Sequence, residues 1–374
     1  MPQIDRRLIK NFDWITLGLI LALAVIGILT IYSATRPIMG GDHPDFYLRQ
    51  IVWLSISLVV MLVLITIDYR WLERISYPFY GIGLFLLLLV LFAGKATMGA
   101  QRWLNLGFFS FQPSEFFRII FILAFSRYLT SLPQQMPRSE TLKGLFIFGL
   151  LPLALLIKQP DLGTGILLVS LFAVLYLAKG VKRKILVLVI AIGLISVPFL
   201  GGIAWEGLRD YQKNRLIAFI DPSVDPTGIG YHINQSKISI GSGGATGKGY
   251  MQGTQGPLRF LPEKHTDFIF SVFAEEWGFI GGVSLFGIYL MLFLRGLDTA
   301  MKAKDEFGRY VAIGITAMLF VYFCVNTGMT LGIMPVVGVP LPFVSYGGTA
   351  LMSNFIAAGI LINIRTRRFE LFYP

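Results

Sequence analysis

Trp14-Ile15-Thr16-Leu17-Gly18-Leu19-Ile20-Leu21-Ala22-Leu23-Ala24-Val25-Ile26-Gly27-Ile28-Leu29-Thr30-Ile31-Tyr32-Ser33-Ala34 runs for 21 residues without a charged side chain. A helix of about 20 such residues crosses the ~30 Å hydrocarbon core of a bilayer. Arg6, Arg7 and Lys10 precede the run, but no small-residue cleavage site follows it. It therefore reads as a retained first span and not as a removed signal peptide. Comparable runs recur at 49–67, 78–93, 114–131, 142–158, 161–178, 184–204, 268–294, 309–331 and 344–364. The expected fold class is all-α: a polytopic membrane protein of about ten transmembrane helices in one membrane domain over 1–374.

Composition agrees. Of 374 residues, 55% are hydrophobic and only 14% charged, and the mean hydropathy is +0.69. That is too little charge to cover a soluble surface. The net charge of +11 does not point to nucleic acid, because the cations cluster between apolar runs instead of forming one stripe with interleaved aromatics. The single cysteine, Cys324, lies inside a run, so no intrachain disulfide exists. His43, His232 and His265 are scattered, which argues against a structural zinc site.

Orientation follows from Lys and Arg in the short connections. With the N-terminus cytoplasmic, the inside segments hold 19 and the short outside segments 5. Both termini are then cytoplasmic and loop 205–267 is extracytoplasmic. This loop is too polar and too short to build its own core. Its stretches 211–220 and 231–240 mix apolar and cationic residues and read as amphipathic helices on the outer surface.

The same topology gathers ionisable residues at one membrane level. Asp267 is followed at once by Phe268-Ile269-Phe270-Ser271-Val272-Phe273, and Arg102, Glu115, Arg118, Lys158 and Asp161 occupy similar helix lips. Charge there is costly unless it has work to do. Glu115 and Arg118, in Gln112-Pro113-Ser114-Glu115-Phe116-Phe117-Arg118, are three apart and share a helix face, so they can pair. Asp161, in Lys158-Gln159-Pro160-Asp161-Leu162-Gly163-Thr164, stands at a helix N-terminus, and capping alone would explain it. Asp267 closes Phe260-Leu261-Pro262-Glu263-Lys264-His265-Thr266-Asp267. An apolar wall would push its carboxyl up and a neighbouring lysine would pull it down, which is how a general base is tuned.

Two further stretches are informative. Gly241-Ser242-Gly243-Gly244-Ala245-Thr246-Gly247-Lys248-Gly249 fails the P-loop pattern, since five residues separate Gly241 from Gly247 and Lys248 is followed by Gly249 where a hydroxyl residue is required. It reads as a flexible turn against the membrane, with backbone N–H groups near an anionic head group. Gly338-Val339-Pro340-Leu341-Pro342-Phe343-Val344-Ser345-Tyr346-Gly347-Gly348 is apolar with two prolines. Non-helical backbone at this depth must be surrounded by protein or line a cavity, so it reads as a re-entrant wall. Ser345 and Tyr346 could donate hydrogen bonds to a ligand.

Together these motifs resemble the SEDS family of polytopic membrane proteins. The resemblance runs from Tyr32-Ser33-Ala34 through 230–244, 261–270 and 335–348, and its variants look more like the elongation branch than the division branch. It implies a peptidoglycan glycosyltransferase in the bacterial cytoplasmic (inner) membrane, with its active site on the outer face, polymerising lipid II for cell-wall elongation. It also implies a class B penicillin-binding protein as partner, alongside other membrane proteins of the elongation machinery. The family's aspartate in Thr-Asp-Phe falls on Asp267, its glutamate in Pro-Ser-Glu on Glu115, and its aspartate in Gln-Pro-Asp-Leu-Gly on Asp161. One departure stands out: members usually carry lysine where this chain has Arg118, so a flexible point cation becomes a planar fork.

The expected chemistry is an inverting displacement with Asp267 as general base. Arg102, Arg118, Arg215, Lys237 and Lys264 would stabilise the diphosphate leaving group, with Lys158 and Ser345 also at the substrate site. No cofactor is certain; Glu115 is left open to a divalent cation, magnesium or manganese. The rival readings are a lipid II flippase and a non-enzymatic scaffold that activates the penicillin-binding protein. Transporter sites sit near the bilayer midplane, whereas these charges gather at the outer rim.

Overall fold

A computed structural model describes residues 11–36, 45–97, 100–105, 110–133, 137–159, 161–180, 213, 215, 217–219, 221, 228–254 and 264–368. The apolar runs become helices α1 (Trp14–Thr35), α2 (Phe46–Thr66), α3 (Tyr69–Ala93), α4 (Pro113–Thr130), α5 (Arg138–Lys158) and α6 (Leu162–Lys179). The loop helix α7 (Ile229–Ser242) follows, then α8 (Ile269–Met301), α9 (Glu306–Thr330) and α10 (Gly348–Thr366). Seven of these, α1, α2, α3, α5, α8, α9 and α10, are long and apolar enough to cross a membrane, and Gly163–Lys179 is a shorter apolar helix. The chain is a multi-pass membrane protein. The expected run 184–204 lies outside the described residues, as does part of stretch 211–220, where 213, 215 and 217–219 are helical.

Three local departures from the hydropathy reading have physical causes. Helix α3 begins at Tyr69 instead of 78 and carries Pro78 internally. Its polar first turns are not a free connector, because Tyr69 and Ser76 are buried and the Tyr69 hydroxyl donates to Asp305 Oδ2 at 2.7 Å. Helix α8 continues seven residues past its expected end at 294, to Met301. Ion pairs hold that extension: Arg295 meets Asp13, and Arg365 meets Asp13 at 3.2 Å and Asp298 at 2.7 Å. Between α3 and α4 lies an unexpected small antiparallel sheet, β1 (Lys95–Thr97), β2 (Ala100–Asn105) and β3 (Ser110–Phe111), in the order β1-β2-β3.

The described chain gathers into two compact units interleaved along the sequence. One comprises 1–68, 215–304 and 319–374; the other comprises 69–214 and 305–318. In the first, α10 packs on α2, and α1 and α7 pack on α8. Ile233, Phe268, Met329 and Val336, all at most 5% exposed, join α7, the start of α8 and the end of α9. Helix α7 is two-faced as expected, with Asn234, Lys237 and Ile238 exposed on one side. It buries Gly230, Ile233, Ser236 and Ser239, one face at three-residue spacing, and the Ser236 hydroxyl lies 2.6 Å from both Ser271 Oγ and Thr330 O.

The glycine-rich stretch after α7 is also corrected. It is a docked clip, not a flexible turn whose N–H groups face a head group. Gly278 interrupts α8 with φ +64°, freeing carbonyls that the clip satisfies: Lys248 N and Gly249 N donate to Glu275 O and Glu276 O, both at 3.0 Å. In return Phe279 N donates to Gly244 O at 2.9 Å and Ile280 N to Ala245 O at 3.1 Å. Lys248 Nζ then pairs with Glu275 Oε1 at 2.7 Å, and Thr254 N donates to the same oxygen at 2.8 Å. A Cβ on Gly247, whose φ is +81°, would lie 2.1 Å from Glu276 O. Gly247→Ala is thus expected to lower stability by about 2–4 kcal/mol through strain and overlap. Thermal unfolding in detergent checks it; an unchanged midpoint would mean the clip is not docked.

The second unit is held by aromatic packing. The Phe125 ring of α4 lies 5.1 Å from the rings of Phe148 in α5 and of Phe172 and Tyr176 in α6. Such edge and offset contacts add specificity to plain burial. They bring the first turn of α4 beside the first turn of α6.

Candidate active site

In the second unit the charged residues converge on two carboxylates. Pro113 opens α4 at a position where its missing donor costs nothing. Glu115 follows in the first turn, and Arg118, one turn on, meets Glu115 Oε2 through Nη2 at 2.5 Å. Both residues are buried, at 4% and 1% exposure. Asp161 caps α6, taking Thr164 N at 3.2 Å on Oδ1, while Oδ2 accepts the Thr164 hydroxyl at 2.8 Å and the Ser114 hydroxyl at 3.3 Å. Arg102 reaches in from β2, with Nη1 3.5 Å from Asp161 Oδ1.

A carboxylate offers about four lone-pair sites, and those of Asp161 are engaged by protein. Asp161, expected at the substrate site, ties β2, α4 and α6 together and holds Arg102. Lys158, also expected there, is exposed at the end of α5. Its neighbour Gln159 turns inward instead and donates to Leu87 O at 2.5 Å. A divalent cation is left open at Glu115, and the donors around it are few. Among the described residues no three His, Cys, Asp or Glu side chains gather where they could hold a metal, and Glu115 Oε2 is taken by Arg118.

In the first unit the geometry centres on Asp267. Three consecutive carbonyls before α8 each accept a hydrogen bond: His265 O from Tyr346 N at 2.9 Å, Thr266 O from Ser345 Oγ at 2.7 Å, and Asp267 O from Asn326 Nδ2 at 3.0 Å. The donors come from α9 and from the proline-rich wall 335–347. The wall is packed inward as expected, with Val336, Val337, Val339, Leu341, Phe343 and Val344 buried. Phe343 is held at φ +66°, a strained conformation for a bulky residue. The Ser345 hydroxyl accepts Leu341 N at 2.8 Å and donates to Thr266 O, which ties it to the wall.

Gly338 shapes the space in front of the carboxylate. A Cβ there would lie 3.3 Å from Asp267 Oδ2 and 3.8 Å from Arg215 Nη1, so acid and guanidinium flank one point. With φ +73°, Gly338 is also a position that only glycine adopts without strain. On the expectation that Asp267 takes part in the reaction, Gly338→Val lowers turnover about 10- to 100-fold by crowding its carboxylate. The turnover rate of the purified variant decides, and wild-type turnover would refute the crowding argument. Lys264 is half-buried on the same turn as Asp267, and Lys237 is exposed on α7 with its chain lying over Gly332 at the end of α9. An apolar groove of about 450 Å³, lined by Ile26, Leu29, Phe273, Trp277, Ile280 and Leu285, opens between α1 and α8.

Sequence reading missed Gly338 and Asn326. The only signal was indirect: a glycine two residues before Pro340, and an amide inside an otherwise apolar run.

Fold and site define a multi-pass membrane protein with carboxylate–cation clusters at its helix ends. The chain belongs to the FtsW/RodA/SpoVE family of cell cycle proteins, the SEDS family, whose model matches residues 11–370. It is 42% identical over 361 residues to the peptidoglycan glycosyltransferase MrdB of Escherichia coli (strain K12), covering 96% of this chain and 94% of that protein. It is 35% identical over 429 residues to the peptidoglycan glycosyltransferase RodA of Treponema pallidum (strain Nichols), covering 96% and 99%. Its structure is similar, with a TM-score of 0.81 and 30% identity across 96% of this chain and 99% of the other, to a chain from a peptidoglycan synthase complex studied for the coordination of polymerization and crosslinking.

Proposed function

We propose that this chain is a peptidoglycan glycosyltransferase that polymerises lipid II into glycan strands for cell-wall elongation. Near-full-length similarity to proteins of that activity supports the reaction class. The observation that carries the assignment of residues is Asp267, whose Oδ2 faces the same point over Gly338 as Arg215 Nη1. In the proposed step the 4-hydroxyl of the acceptor sugar attacks the anomeric carbon of the donor. The new C–O bond forms as the bond to the lipid diphosphate breaks, with inversion, and the hydroxyl proton passes to Asp267. Arg215, Lys237 and Lys264 supply positive charge for the departing diphosphate. Arg118 is already neutralised by Glu115 and acts by holding α4, and Arg102 is held in place by Asp161. An apolar groove such as that between α1 and α8 suits a polyprenyl tail.

In this reading both termini are cytoplasmic, Asp267 faces the outer side, and a class B penicillin-binding protein supplies crosslinking. The test is polymer formation from labelled lipid II by the purified chain with its partner, transpeptidation blocked. A glycan ladder is expected. Its absence, with lipid II translocation in liposomes instead, would replace this reading by transport.

A further inference from the structure

Asn326 lies within α9 and is fully buried. Its amide nitrogen carries two donors, and both are committed to carbonyls of different segments: Asp267 O at 3.0 Å and Val339 O at 2.8 Å. Asp267 stands two residues before the start of α8, and Val339 follows Gly338, the glycine that leaves room for the Asp267 carboxylate. One amide therefore joins the residue that bears the acid to the wall that faces it. Two donors on one neutral nitrogen are offered only by Asn and Gln among side chains, so the clamp needs this chemistry. The arrangement leaves Asn326 Oδ1 buried with no hydrogen-bond partner among the described residues. Buried polar atoms are normally paired, and an orphan of this kind is kept where the other half of the group is indispensable.

We infer that Asn326 is a positioning residue for the transfer reaction, fixing the distance and direction of the Asp267 carboxylate relative to the wall at Gly338. It does not touch substrate; it acts through the backbone of Asp267. Ser345 is its second, holding the adjacent carbonyl of Thr266 at 2.7 Å. Side-chain direction follows from backbone placement, and displacement of a reacting group by about 1 Å costs on the order of 100-fold in rate. The inference rests on Asp267 being the base, as proposed above.

The test separates turnover from binding. Asn326→Leu keeps the approximate size and removes both donors; Ser345→Ala removes one donor from the neighbouring rung. With lipid II as substrate, Asn326→Leu is expected to lower kcat about 10- to 100-fold while KM stays within about twofold of wild type. Ser345→Ala should move kcat the same way by a smaller factor. A raised KM at wild-type kcat, or wild-type kinetics in both variants, overturns the inference. Should Asn326→Leu not yield folded protein, Ser345→Ala decides alone: lowered kcat with unchanged KM supports the ladder, and any other result overturns it. The underlying assignment fails separately, since active Asp267→Ala removes the base itself. Inactive Asp267→Ala beside an Asn326→Leu variant at full kcat removes only the positioning role.

Discussion

Asp267→Ala is expected to abolish glycan polymer from purified lipid II, with a loss of at least about 10²–10⁴-fold, the usual worth of a positioned general base. Folding and membrane insertion are expected to stay near normal, because three main-chain carbonyls of the segment hold it in place. Tyr346 N, Ser345 Oγ and Asn326 Nδ2 all bond main-chain oxygens of residues 265–267 and remain in the variant. Asp267→Asn should be as inactive, since it keeps the shape and removes the basicity. Polymer of normal yield and length from either variant would take Asp267 out of catalysis. Were polymer lost whenever a partner's own glycosyltransferase is blocked, yet retained with Asp267 replaced, the chain would be a scaffold.

Arg118→Met lowers stability by about 3–5 kcal/mol, the range for removing one partner of a buried ion pair. The pair is nearly closed to solvent on both sides, with side-chain exposures of 2% for Arg118 and 6% for Glu115 and a separation of 2.5 Å. The variant leaves Glu115 charged and desolvated. The double variant Glu115→Leu/Arg118→Met should recover much of the loss, because replacing both charges by apolar groups removes the uncompensated one. Arg118→Lys retains the charge and should cost less than Arg118→Met. Unfolding midpoints of the four proteins in one detergent settle the order. A double variant no better than the worse single would show that the pair contributes packing and not charge compensation.

How much could be read without coordinates depends on the kind of interaction. The run 14–34 and its successors are legible because transfer of apolar side chains into a bilayer is close to additive along the chain. The exceptions are instructive. The extension of α8 from 294 to Met301 escapes a hydropathy reading since Arg295 and Asp298 look like a helix end until Asp13 and Arg365 are beside them. Asp161 reads equally as cap or ligand, and only the approach of Ser114 and Arg102 from distant positions shows that its oxygens are occupied. The glycines after α7 suggest mobility, whereas their purpose is close backbone contact with the break at Gly278.

The order of residues along the chain thus determined the membrane class, the apolar runs, the family and the candidate base Asp267, since each is written in local composition or in short contiguous motifs. Packing in three dimensions decided which groups serve Asp267: Asn326, 59 positions away, Ser345, 79 from the Thr266 carbonyl it holds, and Gly338 over the carboxylate. The physical reason is the short range of the forces involved. A hydrogen bond or a steric contact is made or lost within half an ångström, and only the folded backbone brings such distant atoms that close.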